Sequence, residues 1–309
     1  MTPTSATPET DHAVLLMGYG SPNGAADLPD YLREVLHGRT PSAEMVAEYR
    51  RRYDLIGGSP QNRILASLRS KLERRLRQHQ PSTEVLLGVK HGTPALRDVV
   101  AEASRRGIRR LTAVATTPYP SLWIGEPYRE GVADGQRAAP RPIDVDVRLD
   151  WHLDPNWIRY WARAITRELG HVQDPGRTVL LSAHSLPQRM LERGDPYPEL
   201  LQETSRAIAG AAKLDRWSFT YQSAGNTTEP WLGPDITDTM VDWKGRGATS
   251  QLVASFGFVF DHLEVLYDLD VVVREFAGSR GIDYRRVPMP NDADEVVEAL
   301  AAQVERPDA

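Results

Sequence analysis

The sequence contains no cysteine among its 309 residues. This absence excludes disulfide bonds, thiolate zinc sites, iron–sulfur clusters and a cysteine nucleophile. Metal ligands in this chain would therefore be nitrogen and oxygen groups. A cysteine-free composition also suits a cytoplasmic protein, because disulfides belong mainly to oxidising compartments.

Long apolar runs and a strong excess of positive charge are also missing. No run approaches the ~18 apolar residues that a membrane helix needs, so we expect no integral membrane contact. The net charge of −5 argues against a nucleic-acid-binding surface. Residues 1–12 are polar and lack the basic start and apolar core of a signal peptide, and we expect a short disordered tail there.

Apolar runs typical of strands alternate with helical patterns from Thr83 onward. Residues 143–149 alternate between apolar and charged side chains, which predicts an edge strand. The alternation predicts an α/β fold with two Rossmann-like lobes, each a parallel sheet flanked by helices, and a cleft between the lobes. The predicted N-terminal lobe spans residues 13–165 and the C-terminal lobe residues 166–309.

Cap signals predict where several helices begin. Thr40 followed by Pro41 is typical of a helix start, with threonine as the N-cap and proline at the first helical position. Asp261 is expected in the first turn of a helix that it could cap. Asn291 is predicted to cap the final helix.

Ser182, His184 and Ser185 follow a short apolar run that starts at Thr178. Such a run, bounded by turn signals, predicts a buried strand. Parallel sheets bind ligands at the carboxyl ends of their strands, where His184 would lie. A single histidine there is more often an ordinary core or loop residue, so a function for His184 requires partners elsewhere in the chain.

Two other stretches offer such partners. Glu264 and Asp268 have the spacing of one helical turn, although solvated acids on an amphipathic helix explain either of them alone. Tyr19 lies in a glycine-rich turn at residues 18–24, whose glycine spacing differs from the nucleotide-binding pattern. The sequence around Ser182 is not a G-x-S-x-G nucleophile elbow. His184, Glu264 and Tyr19 together suit a divalent metal such as Fe²⁺.

Several blocks, in this order, resemble the motifs of the ferrochelatase family over nearly the whole chain. They are residues 18–22 (GYGSP), 52–53 (RY), 56–60 (IGGSP), 182–187 (SAHSLP), 194–198 (GDPYP), 222–227 (QSAGNT), 230–234 (PWLGP) and 257–268 (GFVFDHLEVLYD). The resemblance implies a type II chelatase-like fold and the insertion of Fe²⁺ into a porphyrin during heme biosynthesis.

The resemblance also implies roles for individual residues. His184 and Glu264 would be the catalytic pair that handles the metal and the protons. Tyr19 is similar to the tyrosine of Gram-positive-type members, which act on coproporphyrin III, yield coproheme, and place that tyrosine on the porphyrin face opposite the histidine. The further residues that match porphyrin-binding positions of that group are Arg52, Tyr53, Ser59 and Tyr128.

Other functions stay open at this point. Protoporphyrin IX is an alternative substrate, and a non-catalytic tetrapyrrole carrier or a cobalt or nickel chelatase are alternative classes. The joint presence of His184 and Glu264 argues against a carrier, and the 194–198 and 230–234 blocks argue against a sirohydrochlorin chelatase. We expect Fe²⁺ as a substrate, no tightly bound cofactor, a monomer, and transfer of the product to a downstream heme-synthesis enzyme.

The chain departs from the family pattern at three positions. Leu36 and His37 stand where the Gram-positive group often has paired arginines, so one propionate contact is expected to be lost or moved. Val272 stands where relatives carry a further acid after Glu264. Asp268 remains and Asp270 is close, so we expect a weaker outer path for metal loading.

Overall fold

The computed structural model describes residues 11–170, 176–225 and 227–307. Most of the predicted disordered tail, residues 1–12, lies outside these ranges. His12 is already the first residue of a strand, so the tail prediction is wrong at its C-terminal end.

The first sheet contains four parallel strands in the order β2-β1-β3-β4. They are β1 (His12–Gly18), β2 (Val85–Val89), β3 (Arg110–Ala115) and β4 (Asp144–Arg148). The central β1 is buried along almost its whole length because its HAVLLMG sequence faces packed helices on both sides. The predicted edge strand is confirmed as β4.

The second sheet repeats this arrangement with the order β6-β5-β7-β8, again all parallel. Its strands are β5 (Arg177–His184), β6 (Trp217–Gln222), β7 (Ser250–Ala254) and β8 (Asp283–Arg286). In both sheets the first strand of the set is central, so the chain winds outward in two directions from it. The predicted fold class, two parallel sheets flanked by helices, is confirmed.

Helices connect these strands in the described parts of the chain. They are α1 (Leu28–Val35), α2 (Ala43–Leu55), α3 (Gln61–Leu76), α4 (Leu96–Arg105), α5 (Glu126–Ala138), α6 (Pro155–Leu169), α7 (Tyr197–Ala211), α8 (Ile236–Gly245), α9 (Leu263–Leu266), α10 (Arg274–Ser279) and α11 (Asp294–Glu305). A 3₁₀ turn spans Gln188–Arg193 and a π-helical turn spans Asp268–Val273. None of the helices in these ranges has the length and apolar character that a membrane crossing requires.

The chain forms two compact units that are discontinuous in sequence. Of the described residues, the first contains 11–21, 62–151 and 297–307, and the second contains 22–61, 152–170, 176–225 and 227–296. The predicted lobes were continuous segments that met between residues 165 and 166, which is a position inside α6. Residues 22–61, with α1 and α2, therefore belong to the same unit as the second sheet.

Each unit has its own apolar core. In the first, side chains of the central strands pack on α4 and α5, with Leu15, Val100 and Leu111 fully buried. In the second, Trp157 and Trp161 of α6 are fully buried and their rings meet edge to face at 5.7 Å. The cores fix the sheets and so fix where the strand ends lie.

Three predicted helix caps are wrong. Helix α2 begins at Ala43 with Ser42 as its N-cap, whose hydroxyl accepts the Met45 N–H, so Thr40 is not the cap. His262, not Asp261, is the N-cap of α9. Asn291 lies before α11, which begins at Asp294, and its side chain binds Asp261 instead.

Gly20, in the turn after β1, requires glycine for two reasons. Its φ of +91° lies in the left-handed region, and an added Cβ would collide with the carbonyl oxygen of His91. Because that obstacle is backbone, it cannot rotate away.

We predict that Gly20→Ala lowers the free energy of unfolding by about 1–3 kcal/mol, through backbone strain and overpacking. Urea denaturation followed by circular dichroism measures this change. Gly24→Ala is the matched control, because a Cβ at Gly24 meets no atom within 4 Å. Equal urea midpoints for Gly20→Ala and Gly24→Ala would contradict the requirement for glycine at position 20.

Candidate functional site

His184 is the last residue of β5, the central strand of the second sheet, and it pairs in register with Gln222 of β6. The strand end is held firmly on both sides. The Tyr197 hydroxyl donates to the His184 carbonyl at 3.1 Å, and the Ser185 N–H donates to the Gln222 carbonyl at 2.7 Å. The imidazole itself is 21% exposed, so it combines a fixed backbone with access from outside.

The hydrogen bonds of His184 determine which ring nitrogen is available. Its Nδ1 contacts the Ser185 carbonyl oxygen, which can only accept, so Nδ1 carries a hydrogen. In the neutral ring the lone pair is then on Nε2, which lies 3.5 Å from Oε1 of Glu264. Nε2 is therefore the atom that can take a proton or a metal ion.

Glu264 stands between two histidines. Its Oε2 lies 3.5 Å from Nε2 of His262, whose Nδ1 donates to the Phe260 carbonyl at 2.8 Å. The two imidazoles thus present the same nitrogen to one carboxylate. The sequence does not mark His262 as a site residue, because a spacing of two residues does not show that its imidazole contacts the Glu264 carboxylate.

These contacts shift the pKa values of His184 and Glu264 in opposite directions. Burial disfavours the charged ring of His184, but the Glu264 carboxylate, with the Ser185 carbonyl and Asp268, outweighs burial and raises the pKa of His184. Burial also disfavours the Glu264 carboxylate, but His184 and His262 hold its pKa well below the usual range. At neutral pH the site therefore contains a carboxylate next to an imidazole that accepts protons readily.

Gln222, at the end of β6, supports Glu264 from inside the protein. The hydroxyls of Ser182 and Ser255 both donate to its amide oxygen, at 2.7 and 2.8 Å. This orients the amide so that its NH₂ group donates to the Glu264 carbonyl at 3.3 Å. All three polar side chains are buried. A polar residue at a strand end beside β5 was the sequence signal for Gln222.

The loop after β7 lies directly against the end of β5. A Cβ on Gly257 would lie 2.5 Å from the Ala183 Cβ and 2.7 Å from its Cα, so glycine is needed for this approach. The next residue, Phe258, places its ring 6.0 Å from the His184 ring and 4.5 Å from the His262 ring. The close loop thus supplies an apolar wall beside both imidazoles.

The acids after Glu264 lie on different faces. Burial, and then the nearby Glu264 carboxylate, raise the pKa of Asp268, although the Ser223 side chain and the His184 ring oppose this. Asp270 instead forms an ion pair with Arg286 at 2.7 Å. Val272 is 45% exposed. Of the acids expected near Glu264, Asp268 is the one coupled to it.

Helix α2 packs beside this group within the same unit. Arg51 donates to the Tyr267 hydroxyl at 2.8 Å, and the Arg52 guanidinium lies 5.1 Å from the Tyr267 ring centre and 5.2 Å from that of Tyr49. Burial, and then the Glu264 carboxylate, raise the pKa of Tyr49. The predicted residue Arg52 therefore lies with the Glu264 segment.

The other residues that were selected from the sequence lie in several different elements. Tyr53, in α2, is half-buried, and the Ser59 hydroxyl accepts the Gln61 N–H at 3.3 Å. Tyr19 and Tyr128 belong to the first unit. Tyr128 is part of its apolar core, where burial raises the pKa of the phenol.

Tyr19 follows β1 directly and is 37% exposed. Its ring meets the His91 ring edge-on at 4.9 Å, and the Lys90 ammonium lies 5.2 Å from its centre. Burial lowers the pKa of Lys90. In the described residues, no group of three or more His, Asp or Glu side chains is arranged to hold a metal ion.

Two solved structures share this fold. The chain aligns with SirB from Bacillus subtilis with Fe³⁺ at a TM-score of 0.60 and 11% identity, covering 95% of this chain and 94% of that one. It aligns with CbiX, the terminal enzyme for siroheme biosynthesis in denitrifying bacteria, at a TM-score of 0.53 and 15% identity, covering 95% and 98%. At these identities the likeness defines the fold: a two-sheet chelatase fold, here with a histidine–carboxylate pair at a strand end.

The sequence comparisons identify the family. The ferrochelatase family model matches residues 11–307. The coproporphyrin III ferrochelatase of Anoxybacillus flavithermus is 37% identical over 298 residues, 94% of each chain, and that of Halalkalibacterium halodurans is 34% identical, covering 95% of this chain and 96% of that protein. A ferrochelatase of Herpetosiphon aurantiacus is 36% identical, covering 94% and 97%. The chain belongs to the ferrochelatase family.

We predict that Glu264→Gln lowers the pKa of His184, because the carboxylate that favours the imidazolium is lost while burial remains. NMR titration of the imidazole signals measures this shift. Glu203→Gln is the matched control, since Glu203 contacts a different histidine, His152, at 3.2 Å. A His184 pKa that does not change in Glu264→Gln would contradict the coupling.

Proposed function

We propose that this protein inserts Fe²⁺ into coproporphyrin III to give coproheme in heme biosynthesis. The observation that carries the proposal is the 3.5 Å approach of His184 Nε2 to Glu264 Oε1. It is supported by the family membership and by the curated relatives that are named coproporphyrin III ferrochelatases.

The reaction releases two protons, because Fe²⁺ replaces two pyrrole N–H hydrogens of the free porphyrin. Nε2 of neutral His184 accepts a pyrrole proton, and the Glu264 carboxylate stabilises the imidazolium that forms. General-base help of this kind typically contributes about 10²–10⁴-fold to a rate. Because Glu264 is 44% exposed, it can pass the first proton outward to solvent, which frees Nε2 to accept the second, or it can hold the incoming ion.

The proposal assigns the other sequence-selected residues to the porphyrin. Arg52, Tyr53 and Ser59 bind the macrocycle or its carboxylates, and Tyr19 would be an axial oxygen ligand of the iron in bound coproheme. Tyr128 is assigned to the porphyrin by its sequence match alone, since it is only 3% exposed. We further expect a cytoplasmic monomer without a tightly bound cofactor that passes coproheme to a downstream heme-synthesis enzyme.

The direct test offers purified protein Fe²⁺ and either coproporphyrin III or protoporphyrin IX without oxygen, and follows the loss of free-base fluorescence. We expect faster metalation of coproporphyrin III. We expect His184→Ala to lower kcat by about 10²–10⁴-fold, because the proton acceptor is lost, while porphyrin binding measured by fluorescence titration is retained.

The exposed His79, replaced in His79→Ala, controls for the loss of a histidine elsewhere. Preference for protoporphyrin IX would overturn the substrate, and porphyrin binding without turnover would favour a carrier. Wild-type turnover in His184→Ala would refute the role of His184.

For Tyr19, we predict that Tyr19→Phe changes the visible and resonance Raman spectra of bound ferric coproheme, since a phenolate ligand would be removed. Tyr31→Phe, in α1, is the control substitution. Identical iron-ligand spectra for wild type and Tyr19→Phe would exclude Tyr19 as the axial group.

A further inference from the structure

Arg286, the last residue of β8, contacts two carboxylates that lie on either side of Glu264 in the sequence. Asp261 precedes Glu264 by three residues and Asp270 follows it by six. A single guanidinium therefore joins both ends of the segment 261–270, which carries His262, Glu264 and Asp268.

The contact with Asp270 is a two-pronged ion pair. Arg286 Nε donates to Oδ1 at 2.9 Å and Nη2 donates to Oδ2 at 2.7 Å. This fork geometry fixes both the distance and the orientation of the carboxylate. Asp270 lies in the π-helical turn Asp268–Val273, so the ion pair fixes that turn against β8.

The contact with Asp261 fixes the other end. Arg286 Nη2 donates to Asp261 Oδ1 at 3.3 Å. Asn291 adds two hydrogen bonds, because its amide oxygen accepts the Asp261 N–H at 2.8 Å and its NH₂ donates to Asp261 Oδ2 at 2.7 Å. The backbone immediately before His262 is therefore held by β8 and by the loop before α11.

These contacts are largely screened from solvent. The side chains of Arg286, Asp261 and Asp270 are 11%, 21% and 25% exposed. Burial disfavours the Arg286 cation, but the hydrogen bond and charge of Asp270, with the charge of Asp261, outweigh burial and raise the pKa of Arg286. Burying charges costs free energy, because they lose water. Here the ion pairs and hydrogen bonds among Arg286, Asp261 and Asp270 offset that cost when all three side chains are in place. The nearby Arg274, by contrast, is 56% exposed and 3.6 Å from Asp270.

We propose that Arg286 is a positioning residue for iron insertion: by holding Asp261 and Asp270 together, it sets the placement of Glu264 and His262 opposite His184. This inference rests on the proposed function. Arg286 does not touch the porphyrin or the reacting atoms in this role, and it acts through the segment that it holds.

The test compares kcat and KM for coproporphyrin III in Arg286→Gln, which removes the cation, and Arg286→Lys, which keeps the charge but loses the fork. Small misplacements of catalytic groups cost large factors in rate, so we expect Arg286→Gln to lower kcat by roughly tenfold or more. KM should stay near the wild-type value. The kcat of Arg286→Lys should lie between the kcat of the wild type and that of Arg286→Gln. Rates are expressed per porphyrin-binding site, which removes any contribution from unfolded protein.

Arg285→Gln is the matched control, since Arg285 is the neighbouring residue of β8 and donates to the Glu168 carbonyl instead. If Arg286→Gln does not fold, Arg286→Lys alone decides, through a lower kcat at unchanged KM. A folded Arg286 variant with the kcat of the control overturns the inference while leaving the proposed function intact. A wild-type protein that fails to insert iron refutes the proposed function itself.

Discussion

The approach of His184 and Glu264 to 3.5 Å is the interaction on which the candidate site depends. It brings a ring that accepts protons next to a carboxylate, in a place that is partly closed to water. The Ser185 carbonyl directs one nitrogen of His184 inward, so the other faces Glu264. Without that carbonyl the ring could turn, and Nε2 would no longer point in a defined direction.

Each partner of the pair is held by a different part of the fold. His184 is fixed by its place in the central strand and by the close approach of Gly257 to Ala183. Glu264 lies on a short helix, and its position depends on Gln222 and on the two ends of its segment. Ser223 and Asn291, which flank this arrangement, both adopt left-handed backbone with φ of 60° and 55°. Such backbone costs about 1–3 kcal/mol per residue, and it persists where the surrounding structure requires it.

The sequence could predict the sheets and the strand end at His184, because apolar periodicity reports burial along one element. It could also select Glu264, since an acid after a strand stands at the same edge of the sheet. It could not predict the partners of Asp261 and Asn291. Both looked like helix caps, but the buried charge of Arg286 binds Asp261, and Asn291 completes that contact. The sequence marks Gln222 only as part of the 222–227 block and does not mark Arg286, because their long-range hydrogen bonds leave no local pattern. The predicted lobes are continuous segments, whereas the compact units are not, because residues 22–61 group with the second sheet and all of α6 groups with residues 152–296.

The most direct measurement of the account is a double-mutant cycle on kcat for iron insertion, with His184→Ala, Glu264→Gln and the combined variant. If the two side chains act as one unit, the double variant will be scarcely slower than the more impaired single variant, because either change already disables the pair. Losses that simply multiply would show that His184 and Glu264 act independently, and would contradict the account.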